Sequence, residues 1–183
     1  RILSSAASDV YKRQNMNYFT DQEKNILAEA SSVVVGFSGG ADSSLALHVT
    51  NDYLKEIDAS SKLLALHVNH MAQDDSSIWE KHCEDVCTAS GIKFEVHQKQ
   101  VDVKGEGFEA AARKVRQEIF ASFGVNTVIV LGHHLDDQVE TVLFRMLRGT
   151  GMKGLSGMDK ISTFGDKIIL RPLFTLPKSD ILN

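Results

Sequence analysis

No run of apolar residues in this 183-residue chain approaches the roughly 18 that a membrane-crossing helix needs. Nothing near its start has the apolar core of a secretion signal. The sequence therefore reads as cytoplasmic, with no membrane partner. Cysteine is scarce as well. Cys83 and Cys87 are the two present, and they stand four apart rather than in a C-x-x-C pair. On a helix from Trp79 to Ala89 that spacing puts both on one face. Two small buried apolar residues in a reducing compartment is the plain reading; a thiolate nucleophile or cluster ligand is the alternative. An excess of basic charge is missing too. Lys and Arg number 20 against 24 Asp and Glu, a formal net charge of −4. Any nucleic acid is then gripped locally or with the help of further parts. There is no internal repeat and no low-complexity linker.

What remains is an ordinary globular composition, 43% hydrophobic and 24% charged, with enough chain for one well-cored domain. Residues 1–15 show no clear hydrophobic period and read as a non-native or disordered leader, with Met16 as a plausible start. Residues 16–183 read as one domain, cut off where a new helix begins.

Within it, helical and extended patterns alternate. Residues 21–30 predict a short helix, and Val33–Phe37 a continuous apolar strand of the buried parallel kind. A helix is expected from Asp42 to about Ile57, a strand over Lys62–His70, and a helix that Gly91 ends. "KFEVHQ", "TVIVLG" and "KIILRPL" complete five strands. Residues 107–124 carry a helical stripe of Phe108, Ala111, Ala112, Val115, Ile119 and Phe123. Residues 136–149 carry another, of Val139, Val142, Leu143, Met146 and Leu147. The expected fold is α/β: a doubly wound, mainly parallel five-stranded sheet with helices on both faces. Ligands of such sheets sit at the carboxyl ends of the strands, which gathers Ser38–Ser43, His67–His70 and Gly132–Asp137.

The first of these ends lacks a lysine. Ser38-Gly39-Gly40-Ala41-Asp42-Ser43 follows a strand and opens a helix, as phosphate loops do, yet the common G-x-x-x-x-G-K-[ST] pattern is absent. Gly39 and Gly40 allow positive φ and close approach to an anion. The helix start offers free N–H groups, and Ser38, Ser43 and Ser44 add hydroxyls. Asp42 would repel phosphate unless a cation lay between, and Mg²⁺ is the usual one. The plainer alternative is a tight turn with Asp42 as helix N-cap.

A second polar cluster lies at Leu131–Met158. Gly132 ends a strand, and Asp136, Asp137 and Glu140 open a helix. Three carboxylates beside a bound phosphate group could hold Mg²⁺ or an ammonium group; alternatively, Asp137 and Glu140 form a D-x-x-E capping box. His133 and His134 are site residues or ordinary loop-end histidines, and zinc lacks enough ligands of suitable spacing. Residues 149–154 spell G-x-G-x-x-G but follow a helix, so a dinucleotide site is not expected. A flexible loop over the site is the better reading.

The first cluster resembles the PP-loop, S-G-G-x-D-S, of the ATP-pyrophosphatase superfamily. With His67-Val68-Asn69-His70, Glu109-Ala110-Ala111-Ala112-Arg113, Gly132 to Thr141, Arg148 to Met158 and Arg171-Pro172-Leu173, the sequence from about residue 31 onward resembles the tRNA(Ile)-lysidine synthase family. One departure is Gln117, where that family commonly has an aromatic residue after Arg116.

The resemblance implies ATP and Mg²⁺ as cofactors, and an isoleucine tRNA with a CAU anticodon and free L-lysine as partners. The wobble cytidine would be adenylated with release of pyrophosphate, and lysine would then displace AMP. By the same resemblance Ser38, Gly39, Gly40, Ala41, Asp42, Ser43, His67, Val68, Asn69, Gly132 and His133 hold the nucleotide. Asp42, Asp136, Asp137 and Glu140 are catalytic, with Asp42 and Asp137 toward the metal. Arg113, Arg148, Gly149 and Gly151 contact substrate, with Arg145 a further candidate. For Arg113 the plain alternative is a surface pair with Glu109. A homodimer is compatible with the resemblance. The family's C-terminal tRNA-gripping domains are expected to lie beyond Asn183. The rivals are a PP-loop tRNA thiolase, which would need a suitably placed cysteine, and a nucleotide-sensing module of the same fold.

Overall fold

The computed structural model describes residues 17–69, 76–99, 107–149 and 156–182. Its elements run α1 (Asp21–Glu29), β1 (Ser32–Gly36), α2 (Ala41–Glu56), a 3-10 turn (Ser60–Lys62), β2 (Leu63–Asn69), α3 (Ser76–Ser90) and β3 (Lys93–Gln98). There follow α4 (Phe108–Ser122), β4 (Thr127–Val130), α5 (Leu135–Leu147), β5 (Ile161–Phe164), β6 (Lys167–Leu170) and α6 (Lys178–Leu182). Thr20 starts α1 with a capping box completed by Glu23. Gly91, at φ 67°, follows the end of α3 in the left-handed conformation that suits glycine.

The strands form one sheet in the order β3-β2-β1-β4-β6-β5. Neighbours from β3 to β6 are parallel, and β5 pairs antiparallel with β6. The expectation of five strands is thus corrected to six, with the added strand at an edge. It is four residues long, three half-buried and one exposed, too short for its alternation to stand out. Its hairpin closes at Phe164↔Lys167 around Gly165, at φ 61°. That is the first turn position, which type II′ hairpins reserve for glycine.

The sheet is covered on both faces, as doubly wound folds require. Val33, Val35, Leu63, Ala65, Val128 and Val130 face α1, α2 and α3 through Leu27, Leu47, Leu54, Cys83 and Cys87. Val34, Leu66 and Ile129 face the opposite way, onto Val115, Ile119 and Phe120 of α4. Both cysteines are fully buried, as their spacing implied.

The α5 stripe departs from expectation. Val139, Leu143, Met146 and Leu147 are half or more exposed, and α5 has no buried residue. The described residues leave this stripe uncovered. Strand order changes direction between β1 and β4, the switch point where such sheets open a crevice.

Among the described residues no helix is long and apolar enough to cross a membrane.

Candidate functional site

At that switch point lies a cleft of about 490 Å³. The phosphate-loop residues Ser38, Gly40, Asp42 and Ser43 line one side; Gly132, His133 and Asp137 line the other. Val68 and Arg116 also contribute to the wall.

The loop's shape follows from its composition. Gly39 sits at φ 82°, and a Cβ there would meet Cys83 Sγ at 3.0 Å, so glycine is required twice over. Gly40 is the N-cap of α2, and no side chain caps the helix. Its carbonyl accepts from both Ser43 Oγ and Ser44 Oγ at 2.9 Å. Ser43 Oγ in turn accepts from Ser38 N–H at 3.2 Å and lies 3.1 Å from Ser38 Oγ. These bonds hold the turn open around the first N–H groups of α2, which point their positive ends at the cleft. Ala41 is the first residue of that helix. Asp42 lies in its first turn instead of capping it, and Asp42 Oδ1 is buried with no hydrogen-bond partner.

The expected capping box of α5 shifts by one turn. His134 is the N-cap and Asp137 its N3 residue. Asp137 Oδ2 accepts from His134 N–H at 2.8 Å, and His134 Nδ1 accepts from Asp136 N–H at 3.2 Å. His134 Nε2 then carries the proton, 3.7 Å from Asp42 Oδ2 and 3.6 Å from Asp137 Oδ2. A buried imidazole edge thus stands between the two carboxylates expected at the metal. Asp136 Oδ2 accepts the backbone N–H of Lys178 at 2.6 Å, and Lys178 Nζ reaches Asp42 Oδ2 at 3.3 Å. Glu140 is exposed on α5, with no hydrogen bond or ion pair among the described residues.

His133 is held by Arg171, whose Nε lies 3.3 Å from Nδ1. Burial, and then the Arg171 charge, push the His133 imidazole down to about 4. Arg113 and Arg116 act in the same direction and Asp137 opposes. Gln138 clamps Met158 through both main-chain groups, at 3.2 Å and 2.7 Å, and Arg145 Nη1 donates to the Gly157 carbonyl at 2.7 Å.

Of the expected nucleotide residues on β2, Val68 lines the cleft. The side chains of His67 and Asn69 turn elsewhere: His67 Nδ1 to the Phe37 carbonyl at 2.9 Å, and Asn69 to Glu80 at 3.0 Å. Bonds from Asn69 and Gln98 hold the Glu80 carboxyl below its usual range. Arg113 is exposed on α4. Arg148 lies over the Phe144 ring at 4.1 Å, and Gly149 follows at φ 68°. Gly151 and His70 lie outside the described residues. Lys178 and Arg116 were absent from the expected site residues. A lysine directly after Pro177 carries no signal until topology brings it to Asp42.

Among the described residues no three or more His, Cys, Asp or Glu side chains are grouped to hold a metal ion. The free Asp42 Oδ1 nonetheless fits a Mg²⁺ that takes its other ligands from phosphate and water, the ion's common mode.

A PP-loop domain family profile matches residues 9–183. The chain is 40% identical over 156 residues to the tRNA(Ile)-lysidine synthase of Legionella pneumophila strain Paris, covering 85% of this chain and 35% of that protein. It is 40% identical over 154 residues to the enzyme of that name from Pseudomonas aeruginosa, covering 84% and 34%. For that of Francisella philomiragia the identity is 38% over 154 residues, covering 82% and 37%. The chain therefore spans about a third of the length of the relatives it matches. Among solved structures it resembles the U34-tRNA thiolase NcsA from Methanococcus maripaludis with its 4Fe-4S cluster. The TM-score is 0.65 at 21% identity, over 87% of this chain and 59% of that one, a likeness of fold. A phosphate loop without lysine, at the switch point of a doubly wound sheet, together with a profile match that spans nearly all of the sequence, places this chain in the PP-loop domain family.

Proposed function

We propose that this domain carries the ATP-dependent ligation of lysine to the wobble cytidine of an isoleucine tRNA bearing a CAU anticodon. The observation that carries this reading is one cleft with the phosphate loop on one wall and Asp137 and His133 on the other, in a chain 35–40% identical to proteins named tRNA(Ile)-lysidine synthase.

In this reaction the C2 oxygen of cytidine attacks the α-phosphorus and pyrophosphate leaves. The side-chain amine of lysine then attacks C2, AMP leaves, and the amine gives up a proton. The loop amides of α2 and the Ser38 and Ser43 hydroxyls hold the leaving pyrophosphate. Asp42 would hold Mg²⁺, which when bound would offset charge building on the phosphates. Val68 packs beside the adenosine. Asp137 and Glu140 receive the lysine ammonium, and Asp136 keeps the α6 backbone in place. Arg113, Arg116 and Arg148 face tRNA phosphate. The cytoplasm, where tRNA, ATP and lysine coexist, is the proposed location.

The test uses the whole protein with ATP, Mg²⁺, L-lysine and the CAU-anticodon tRNA transcript. A lysine-sized mass gain on the wobble nucleotide, with pyrophosphate released, is expected. Retained ATP binding with no mass gain sinks the reading. Asp42→Asn is expected to abolish pyrophosphate release and leave the circular dichroism spectrum unchanged.

A further inference from the structure

A guanidinium only donates hydrogen bonds and stays protonated in proteins. Arg171 Nε faces His133 Nδ1 at 3.3 Å, so that ring nitrogen must accept and carries no proton. A neutral imidazole has one proton, which is left on Nε2. Nε2 has no hydrogen-bond partner among the described residues, and His133 lines the cleft beside Asp137 and Arg116.

Arg171 cannot easily turn away. It is 8% exposed, and its Nη1 donates to the Asp159 carbonyl at 2.6 Å and to Ser162 Oγ at 2.9 Å. It follows Leu170, which pairs with Val130 of the neighbouring parallel strand. The register of β4 against β6 therefore brings the two side chains to the same end of the sheet.

We propose that Arg171 is a positioning residue that locks His133 as the Nε2–H tautomer, a fixed neutral hydrogen-bond donor toward an oxygen of the molecule in the cleft. Held this way, His133 is not the base that takes the amine proton, and the carboxylates are the cleft's proton acceptors. The surrounding charges agree on balance: Arg171, Arg113 and Arg116 oppose a second proton on the ring, and Asp137 alone favours it. The donor's target and the fate of the amine proton rest on the proposed reaction; the tautomer lock does not.

The test is the long-range ¹H–¹⁵N spectrum of histidine-labelled protein near neutral pH, with His133 assigned by its loss in His133→Gln. A neutral ring protonated at Nε2 is expected; a proton on Nδ1, or a mixture, overturns the proposal. Arg171→Met is expected to release His133 into a tautomer mixture. A folded variant that keeps pure Nε2–H shows that Arg171 is not the lock. Should that variant fail to fold, the wild-type spectrum still decides the tautomer. In the ligation assay, His133→Gln keeps an N–H donor and is expected to stay within about 10-fold of wild type. His133→Leu is expected to lose about 10²–10³-fold, the cost of deleting one aimed donor. Equal losses overturn the donor role. An inactive wild type with the Nε2–H spectrum removes the proposed reaction and leaves the tautomer lock standing.

Discussion

A Cβ on Gly132 would stand 2.8 Å from the carbonyl oxygen of Asp42 and 3.0 Å from the amide nitrogen of Ser43. The end of β4 and the first turn of α2 therefore touch backbone to backbone, and neither side has a flexible group that can yield. Gly132→Ala is expected to push the two walls of the cleft apart. Overpacking of this kind costs about 1–3 kcal/mol, readable by urea unfolding. ATP affinity measured by calorimetry should fall at least as much in proportion. A variant with wild-type stability and affinity would show that this contact does not shape the site.

Asp137 has two jobs that one pair of substitutions separates. Its Oδ2 accepts the His134 N–H at 2.8 Å, a structural role in starting α5, and it also lines the cleft. Asn can accept the same bond but carries no charge. Asp137→Asn is expected to keep the melting temperature near wild type and to lose ligation. Asp137→Ala should lose ligation and also about 1 kcal/mol of stability, the usual scale of a lost cap. Equal activity in wild type and Asp137→Asn would leave Asp137 a cap alone.

The contiguous part of the site was legible in the sequence, because chemistry and geometry there depend on neighbours along the chain. Gly39, Gly40, Asp42 and Ser43 define a turn and a helix start by themselves. The part assembled by topology was not. Asp42 meets Lys178 at a separation of 136 residues, and His133 meets Arg171 at 38; both pairings need the sheet order. The α5 stripe misled because periodicity reports which residues share a face, not whether the fold covers that face. β5 was missed because four residues at an edge show too little alternation, although Phe164-Gly165-Asp166-Lys167 has the length and glycine of a hairpin turn.

Acid should weaken the fold through His133. Its imidazole is pushed down to about 4 in the folded protein, against ~6.5 in an unfolded chain. Above the unfolded value both states are neutral and the full stability is present. As pH falls through that value toward the folded one, the unfolded chain takes up a proton that the folded chain refuses. Stability then drops by about 1.4 kcal/mol per unit, roughly 2 kcal/mol between about pH 7 and about pH 5. Comparing urea midpoints of wild type and His133→Gln isolates this contribution from the carboxylates. Parallel pH profiles in the two proteins would contradict it.

Lys178 balances the carboxylate that the phosphate loop carries. Its Nζ lies 3.3 Å from Asp42 Oδ2 on a half-exposed side chain, and its backbone N–H is held separately by Asp136. Lys178→Met removes the charge and leaves the backbone bond. An exposed pair of this kind contributes at most about 1 kcal/mol, so stability should barely change. With its neighbouring ammonium gone, Asp42 should attract a divalent cation more strongly. The Mg²⁺ concentration for half-maximal ATP binding is then expected to fall several-fold. A higher requirement would mean that Lys178 serves the phosphates directly.

Against the rival reading as a tRNA thiolase, the cysteines are the sharpest discriminator of chemistry. Cys83 and Cys87 are buried in the face of α3 that packs on the sheet, and burial pushes both thiols up to about 11. The thiolate is the nucleophilic form, so burial and the raised pKa make both sulfurs poor nucleophiles. Cys83 instead packs behind Gly39, within 3.0 Å of the position a Cβ would take. The double variant Cys83→Ala, Cys87→Ala is expected to lose stability from the two small cavities and to retain ligation of lysine at saturating ATP. Both native thiols should react with a thiol reagent only on unfolding. Fast labelling in the native state, or loss of ligation in a folded double variant, would return the chemistry to the cysteines.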